Sequence, residues 1–226
     1  MMMSMDLFSI FDPNCFLFFD LNWMSMLIVF IIYPYMYWFI PSRSNFLLIL
    51  IYKFMSSELI CLINSKYKLN LIYYINIFLF VLVNNIFSIF PYVFCSTSHL
   101  ILGLSFAMPM WFTMNLYMFI NYMDYSLAHY VPTSTPNFLI SFMVFIETIS
   151  NIIRPLTLSV RLSANLTAGH LILSLIGLSF FISKYFIIII IMVQTCLFIL
   201  EMSVSFIQSY VFSVLLTLYL SEVKNE

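Results

Sequence analysis

The sequence predicts an all-α polytopic membrane protein, on the basis of its composition, its long apolar runs and the placement of its few charges. The 226 residues are 64% hydrophobic and 8% charged, whereas a soluble domain carries about 25% charged residues. We expect a single membrane domain, residues 1–226, with about five membrane helices and one interfacial amphipathic helix. The last two membrane helices are expected to be long, strongly tilted and paired as a hairpin. A net charge of −1 offers no basic surface for gripping nucleic acid.

The amino-terminal part begins with an acidic leader, residues 1–20, which contains Asp6, Asp12 and Asp20. Residues 21–40 are the first predicted span, because about 20 helical residues at about 1.5 Å each cross a hydrocarbon core of about 30 Å. We expect a bend at Pro34, where the ring interrupts the helical hydrogen bonds. Residues 1–14 contain neither Lys nor Arg, so no cationic signal peptide or transit peptide is visible.

The bias within the apolar residues indicates where the gene lies. Phe (26), Met (16) and Tyr (15) are abundant, and Gly (3) is scarce, as expected where an AT-rich genome supplies few GC-rich codons. We therefore expect a mitochondrial gene, whose product needs no import signal.

Residues 44–68 are apolar but interrupted by polar side chains along one face, which predicts an amphipathic helix lying on the membrane surface. This connection is also the only basic one, with Arg43, Lys53, Lys66 and Lys68 against a single acid, Glu58. By the positive-inside rule it faces the compartment of synthesis, which leaves the acidic amino terminus on the other side.

The remaining spans come as two hairpins. Residues 69–94 and 99–120 are predicted to form the first, joined by a tight turn at residues 95–98. Residues 138–177 and 185–220 form the second, with a turn near residues 177–184. As helices the last two runs would be about 60 Å and about 54 Å long, nearly twice the hydrocarbon thickness, and we therefore expect both to be strongly tilted.

Residues 147–170 contain both arginines of the membrane interior, in a sequence that otherwise avoids charge. Helical steps of four and three place six residues on one stripe: Glu147, Asn151, Arg154, Leu158, Arg161 and Asn165. A polar stripe inside a membrane is a candidate site for moving charge. Small residues surround Arg161, namely Ser163, Ala164, Thr167, Ala168 and Gly169, and they predict a smooth surface that another helix can approach closely.

Arg161 has no acidic partner on its own helix, because Glu147 lies about 21 Å away along the axis. It therefore needs an anion from elsewhere, and an arginine is a fixed positive charge that does not relay protons. A partner that arrives, loses its proton and leaves would make this charge a gate. The alternative is static helix packing with a resident carboxylate beside Arg161. Arg154 is a weaker candidate, with either a structural role or one in a proton channel.

The last predicted helix carries Gln194, Glu201 and Gln208 at intervals of seven, on one face. His170 is nine residues beyond Arg161, on the opposite side of its helix, where it can meet Glu201. A histidine beside a membrane glutamate makes a reasonable proton wire, although His170 taken alone would often be a buried core residue. The four cysteines are widely spaced; they predict small buried residues, and we expect no metal site and no cofactor.

Several runs resemble the subunit a family of F-type ATP synthases, its mitochondrial and arthropod members above all. They are residues 161–165 with 168–170, residues 146–150 with Arg154-Pro155, residues 207–212 with 217–219, and the shorter matches at 11–13 and 41–43. The resemblance is weak around residues 56–70.

The resemblance implies a proton-translocating stator subunit that catalyses no nucleotide reaction itself, and the sequence contains no P-loop. The tilted hairpin would lie against a rotating ring of c subunits, each with a membrane carboxylate, and Arg161 would separate two half-channels. His170 and Glu201 would serve the channel from the intermembrane space, Glu147 and Asn151 the one to the matrix.

By the same resemblance, Asn165 and Gln208 would be polar neighbours of Arg161. The implied partners are the c-ring, other membrane-sector and peripheral-stalk subunits and the lipid bilayer, with no directly bound nucleotide. The protein would lie in the mitochondrial inner membrane, its amino terminus toward the intermembrane space and its carboxyl terminus toward the matrix.

Two other classes of protein remain open at this point. A respiratory-complex subunit with haem would need paired histidines, whereas His99, His129 and His170 lie on separate segments. A self-contained proton channel or antiporter is disfavoured by the absence of an inverted repeat in the sequence. Purification would distinguish them, since a stator subunit comes with a ring and a large soluble head.

Overall fold

The computed structural model describes residues 8, 11–13, 21–34, 37–63, 65–90, 93–131, 136–182 and 187–222. Their regular elements are helices: α1 (Ile28–Ile32), α2 (Arg43–Leu62), α3 (Leu71–Ile89), α4 (Leu100–Asn121), α5 (Met123–His129), α6 (Ile140–Ile182) and α7 (Ile187–Glu222). Short 3₁₀ segments precede or link them at Leu21–Leu27, Ser65–Asn70, Ser96–Ser98 and Asn137–Leu139. The predicted all-α class is confirmed, and five helices (α2, α3, α4, α6 and α7) are long and apolar enough to cross a membrane.

The first span is not the continuous helix predicted over residues 21–40. A 3₁₀ segment, Leu21–Leu27, leads into the short α1, which ends at Ile32. Tyr33 is already extended, with φ −63° and ψ 113°, because the ring of Pro34 disfavours helical backbone at the residue before it. The proline therefore ends the helix, where we expected it only to bend the span.

The segment predicted as one interfacial element over residues 44–68 is also divided. Helix α2 begins after Ser42, whose hydroxyl accepts a hydrogen bond from the Asn45 backbone N–H at 3.4 Å, and it ends at Leu62 before a separate 3₁₀ segment. Most of its side chains are exposed, although Met55 and Leu59 are buried in the core. Its length and composition suit a span, so its position on the membrane surface stays a prediction.

Helix α3 packs mainly against α7 and also contacts α2, and its buried side chains belong to the same apolar core as those of α6. Its buried face includes Tyr74, Phe78 and Val81. These side chains belong to the same apolar core as Leu158 and Leu162 of α6 and Phe212 of α7. Burial of these apolar side chains makes α3 a framework on which the last two helices rest. Helices α3 and α4 are joined by the predicted tight turn, which contains the buried 3₁₀ segment Ser96–Ser98, but α3 packs mainly against α7 and α4 mainly against α6.

Helix α4 packs closely against α6 through a glycine. A Cβ atom added to Gly103 would lie 3.1 Å from the Ser159 Cβ and 3.2 Å from its Cα, so any larger residue would push the two backbones apart. Both helices continue through their prolines, Pro109 and Pro155. Helix α4 therefore lies on the Ser159 side of α6, about 160° around the helix from Arg161.

The two long helices are confirmed as a pair. Helix α6 has 43 residues and α7 has 36, which correspond to about 65 Å and about 54 Å. The turn predicted to begin at Gly177 begins later, because α6 continues through this glycine to Ile182. Gly177 has open space around its Cα and interrupts neither the hydrogen bonds nor the apolar character of the last helical turns.

The buried face of α7 carries small hydroxyl residues at every fourth position, which the sequence reading overlooked. They are Ser205, Ser209, Ser213 and Thr217, all at most 1% exposed. Each hydroxyl donates to a backbone carbonyl of its own helix, as Ser209 does to Phe206 at 2.8 Å, so burial leaves no donor unpaired. These small side chains let α7 approach its neighbours closely.

The cysteines do not share the predicted burial. Cys95 is buried in the turn between α3 and α4, but Cys61 and Cys196 are exposed, and Cys15 lies outside the described residues. Cys196 lies among the exposed apolar side chains of α7, which in a membrane protein meet lipid tails, whereas Cys61 lies beside the exposed Ser57 and Glu58 on α2. The weakly polar thiol of Cys196 is acceptable among lipid tails because a free cysteine behaves as a small apolar residue.

Candidate functional site

Arg161 lies on the outer face of α6, exposed between two exposed alanines, Ala164 and Ala168. The opposite face of the same turns carries Leu162 and Leu166, which are buried in the core. Among the described residues, no carboxylate oxygen lies within 4 Å of the Arg161 guanidinium. The helix thus directs a permanent charge outward, while its apolar face fixes the helix against the bundle.

The sequence predicts that the small residues around Arg161 form one smooth surface, but in the structure they do not. Ala164 and Ala168 do flank the arginine on the outer face, but Ser163 is buried at 6% exposure. Gly169 faces α7, where an added Cβ would lie 2.7 Å from Glu201 Oε1. Spacing along a helix gives the direction of each side chain but not which neighbour it meets, and this set serves two different contacts.

His170 and Glu201 come together, as the helical spacing predicted. The Nε2 atom of His170 lies 3.9 Å from Oε1 of Glu201, and the glutamate is 5% exposed. Gly169 makes this possible, because its missing side chain leaves the space that the Glu201 carboxyl group occupies. One glycine in a chain that has only three therefore brings a base and an acid into reach of each other.

The pair lies beside the end of α3. The imidazole of His170 also interacts with the backbone of Ser88, near the end of α3. Both carboxylate oxygens of Glu201 and the Nε2 atom of His170 are buried without a hydrogen-bond partner among the described residues. Buried polar atoms are nearly always paired, so these three atoms retain unused hydrogen-bonding capacity within the described part of the chain.

A groove of about 350 Å³ runs along the outside of the hairpin between α6 and α7. Its polar lining consists of Asn165, Glu201 and Gln208, and its α6 wall includes Ala168 and Gly169. The structure therefore brings both amides predicted near Arg161 to the same opening as the Glu201 carboxyl group. Asn165 is one helical turn from Arg161, so the groove reaches the outer face that carries the arginine.

Arg154 has a different environment from Arg161. Its guanidinium carbon lies 5.7 Å from the ring centroid of Tyr219, a cation–π contact that joins α6 to α7. Of the two roles that the sequence left open for Arg154, this contact favours the structural one.

Glu147 and Asn151 lie away from the histidine–glutamate pair. Asn151 lines a groove of about 270 Å³ between α4 and α6, together with Asn115 and Tyr130. Glu147 is half-buried one turn earlier on α6. Both lie toward the start of α6, about 15 Å and about 21 Å from Arg161 by helix rise. The predicted stripe therefore contains residues with separate surroundings, from buried Leu158 to exposed Arg161.

Two contributors to the site are not predicted from the sequence, and a third is predicted on the wrong surface. The backbone of Ser88, near the end of α3, interacts with the His170 imidazole, and no pattern in the sequence predicts that contact. Phe11 places its ring 6.3 Å from the His170 ring; no local pattern gives that contact, since the two residues are far apart in the chain. The third is Gly169, which the sequence predicts beside Arg161 but which faces Glu201 of α7.

Comparison with known proteins gives one family. The family model described as "ATP synthase A chain" matches residues 19–221. The chain is 46% identical over 224 residues to ATP synthase subunit a of Apis mellifera ligustica, covering 98% of each protein. It is 46% identical over 223 residues to the Drosophila melanogaster subunit, covering 98% of this chain and all of that one. With the Artemia franciscana subunit the identity is 45% over 222 residues.

Proposed function

This chain belongs to the ATP synthase A chain family, and we propose that Arg161 is the fixed charge that couples proton flow to rotation of a c-subunit ring. Membership makes the chain a non-catalytic, proton-translocating subunit of the membrane sector and a multi-pass protein of the mitochondrial inner membrane. It also removes the two alternatives, a haem-bearing respiratory subunit and a self-contained channel.

The exposed position of Arg161 carries this proposal. An arginine at the middle of a span costs about 2.5–3.5 kcal/mol unless it is paired, and the described part of the chain places no acid within 4 Å of it. The flanking Ala164 and Ala168 are exposed as well and leave room for another helix. A membrane carboxylate on a neighbouring ring helix is the partner that these features fit.

The coupling step follows from the chemistry of the two groups. A ring carboxylate that reaches Arg161 is held ionised, because a nearby cation favours the charged form of an acid. It becomes neutral again, and free to move into lipid, only after a proton arrives. Arg161 keeps its own proton throughout, so it prevents protons from passing directly between the two sides. One proton crossing about 100 mV supplies about 2.3 kcal/mol to this cycle.

The proton paths are proposed on either side of this charge. The half-channel from the intermembrane space would use His170 and then Glu201, which opens to the groove beside Asn165 and Gln208. The half-channel to the matrix would use Asn151 and Glu147, which lie toward the other end of α6. Arg154 would hold the two long helices together near that end through Tyr219.

The orientation and assembly follow the same scheme. The basic connection around α2 would face the matrix, which leaves the amino terminus in the intermembrane space and the carboxyl terminus in the matrix. Helices α6 and α7 exceed the membrane thickness and would be strongly tilted. Further contacts would be made with other membrane-sector and peripheral-stalk subunits, and the gene would be organelle-encoded.

Cysteine cross-linking tests which surface meets the ring. In a background without the natural cysteines, Ala168→Cys is expected to form a disulfide with a cysteine placed beside the ring carboxylate, because Ala168 lies on the outer face of α6. The matched control is Ile101→Cys on α4, a residue that is 73% exposed but lies on the side of α6 that faces away from Arg161. Cross-linking of the control in place of Ala168→Cys would show that the ring lies elsewhere.

A further inference from the structure

An amino-terminal strap, defined as residues 11–13 and 21–27, reaches the two histidines that lie near the turn between α3 and α4. Phe11 contacts His170 and Trp23 contacts His99. A strap residue therefore lies directly against one member of the proton-transfer pair.

The contact between Phe11 and His170 has the geometry of a specific aromatic pair. The ring centroids are 6.3 Å apart, and the ring planes meet at 78°. This edge-to-face arrangement is one that aromatic rings prefer, because the positive edge of one ring meets the negative face of the other. It restrains both the position of the imidazole and the angle of its plane.

The strap is fixed independently of this contact. The ring of Trp23 lies 5.1 Å from that of His99 and 5.7 Å from that of Phe94, centroid to centroid. The side-chain amide of Asn22 donates a hydrogen bond to the Pro13 carbonyl at 3.2 Å, which ties the two parts of the strap together. The position of Phe11 is therefore fixed by the contacts of the strap with the α3–α4 turn as well as by its own contact with His170.

Two other elements contact the same imidazole. Glu201 of α7 lies 3.9 Å from Nε2, and the Ser88 backbone interacts with the ring from α3. The distance between His170 Nε2 and Glu201 Oε1 exceeds the range of a hydrogen bond. Proton transfer therefore needs a small, directed movement of the imidazole. Contacts with the His170 imidazole determine whether that movement brings Nε2 toward Glu201 or away from it.

We propose that the strap positions His170 for proton transfer to Glu201, with Phe11 as the positioning residue. This inference rests on the proposed function, in which the pair belongs to the path from the intermembrane space. In the step itself, the Nε2 proton of a protonated His170 passes to Oε1 of Glu201, leaving a neutral imidazole and a carboxylic acid. Phe11 exchanges no proton and acts only by limiting the orientations of the ring.

The test compares variants of Phe11 in the assembled complex, with proton-driven ATP synthesis measured in inner-membrane vesicles and divided by the amount of complex. Phe11→Ala and Phe11→Leu are expected to lower the rate about threefold to tenfold, the range of an aromatic pair. Phe11→Tyr keeps the ring and should stay within about twofold of the natural rate. Phe8→Ala is the matched control, because Phe8 is 70% exposed in the same part of the chain, and it should have no effect.

A second comparison separates positioning from simple packing. If Phe11 acts through His170, Phe11→Ala should cause no further loss in a His170→Ala background, since residues that share one action are not additive. A rate for Phe11→Leu equal to that of the natural chain, an effect of Phe8→Ala as large as that of Phe11→Ala, or additive losses in the double variant would overturn the proposal. If Phe11→Ala lowers the amount of assembled complex, the Phe11→Leu and Phe11→Tyr variants still test the proposal. None of these results alters the expectation for Arg161, which tests the proposed function separately.

Discussion

Replacing Arg161 by alanine is expected to abolish both proton-driven ATP synthesis and ATP-driven proton pumping, a loss of at least about 100-fold, or about 2.7 kcal/mol. Without the fixed charge, no nearby cation favours the ionised form of a ring carboxylate that reaches the hairpin. The complex should still assemble, because Arg161 is exposed on the outer face of α6 and its removal leaves no cavity in the core. The loss should therefore be one of coupling and not of folding.

The measurement is pumping and synthesis in vesicles, together with the amount of assembled complex on a native gel. Arg43→Ala provides the control, since Arg43 is an exposed arginine at the start of α2, and it should retain near-natural rates. Normal ATP-driven pumping by the Arg161→Ala complex would contradict the role proposed for this residue. Equal losses in both variants would show that a general loss of positive charge is responsible.

Replacing Glu201 by glutamine is expected to slow proton transport about 10-fold to 100-fold, within the lower range of general acid–base effects. Glutamine has nearly the same shape, so it should fill the space beside Gly169 without disturbing α6 and α7. It cannot accept and release a proton, and His170 would then have to pass its proton directly to the groove. The remaining rate should exceed that of Arg161→Ala, because the coupling charge is still present.

Transport by Glu201→Gln should be measured beside Glu58→Gln, which changes an exposed glutamate on α2 and should have no effect. His170→Ala should give a loss of similar size to Glu201→Gln, because both residues belong to one proposed path. Unaltered rates in both the Glu201 and the His170 variants would remove the pair from the pathway.

Part of this site follows directly from the sequence. An apolar run of about 40 residues predicts one helix longer than the membrane is thick, and α6 is that helix. Helical angles alone placed His170 on the side opposite Arg161, toward α7, and the pair with Glu201 follows. These predictions succeed because they depend on the period of one helix and not on which elements pack together.

The failures share a physical cause, which is dependence on tertiary contacts or on local backbone chemistry. The sequence predicts Gly169 beside Arg161, but α7 packs against the side of α6 that carries Gly169, so this glycine faces Glu201. Composition predicted a first span through Pro34, although the local restriction before a proline ends the helix at Ile32. The contact of Phe11 with His170 joins distant parts of the chain, and no periodic pattern encodes it.

A density map of the whole complex, in which the surroundings of Arg161 can be seen, would show directly whether this residue faces the ring. We expect the Arg161 guanidinium to face the ring, within about 4–6 Å of a membrane carboxylate, the range over which a charge favours ionisation of an acid. The groove beside Asn165 and Gln208 should open toward the same ring helix. A map in which Arg161 is paired with a carboxylate of its own chain or a fixed neighbour, with the ring against another face, would contradict it.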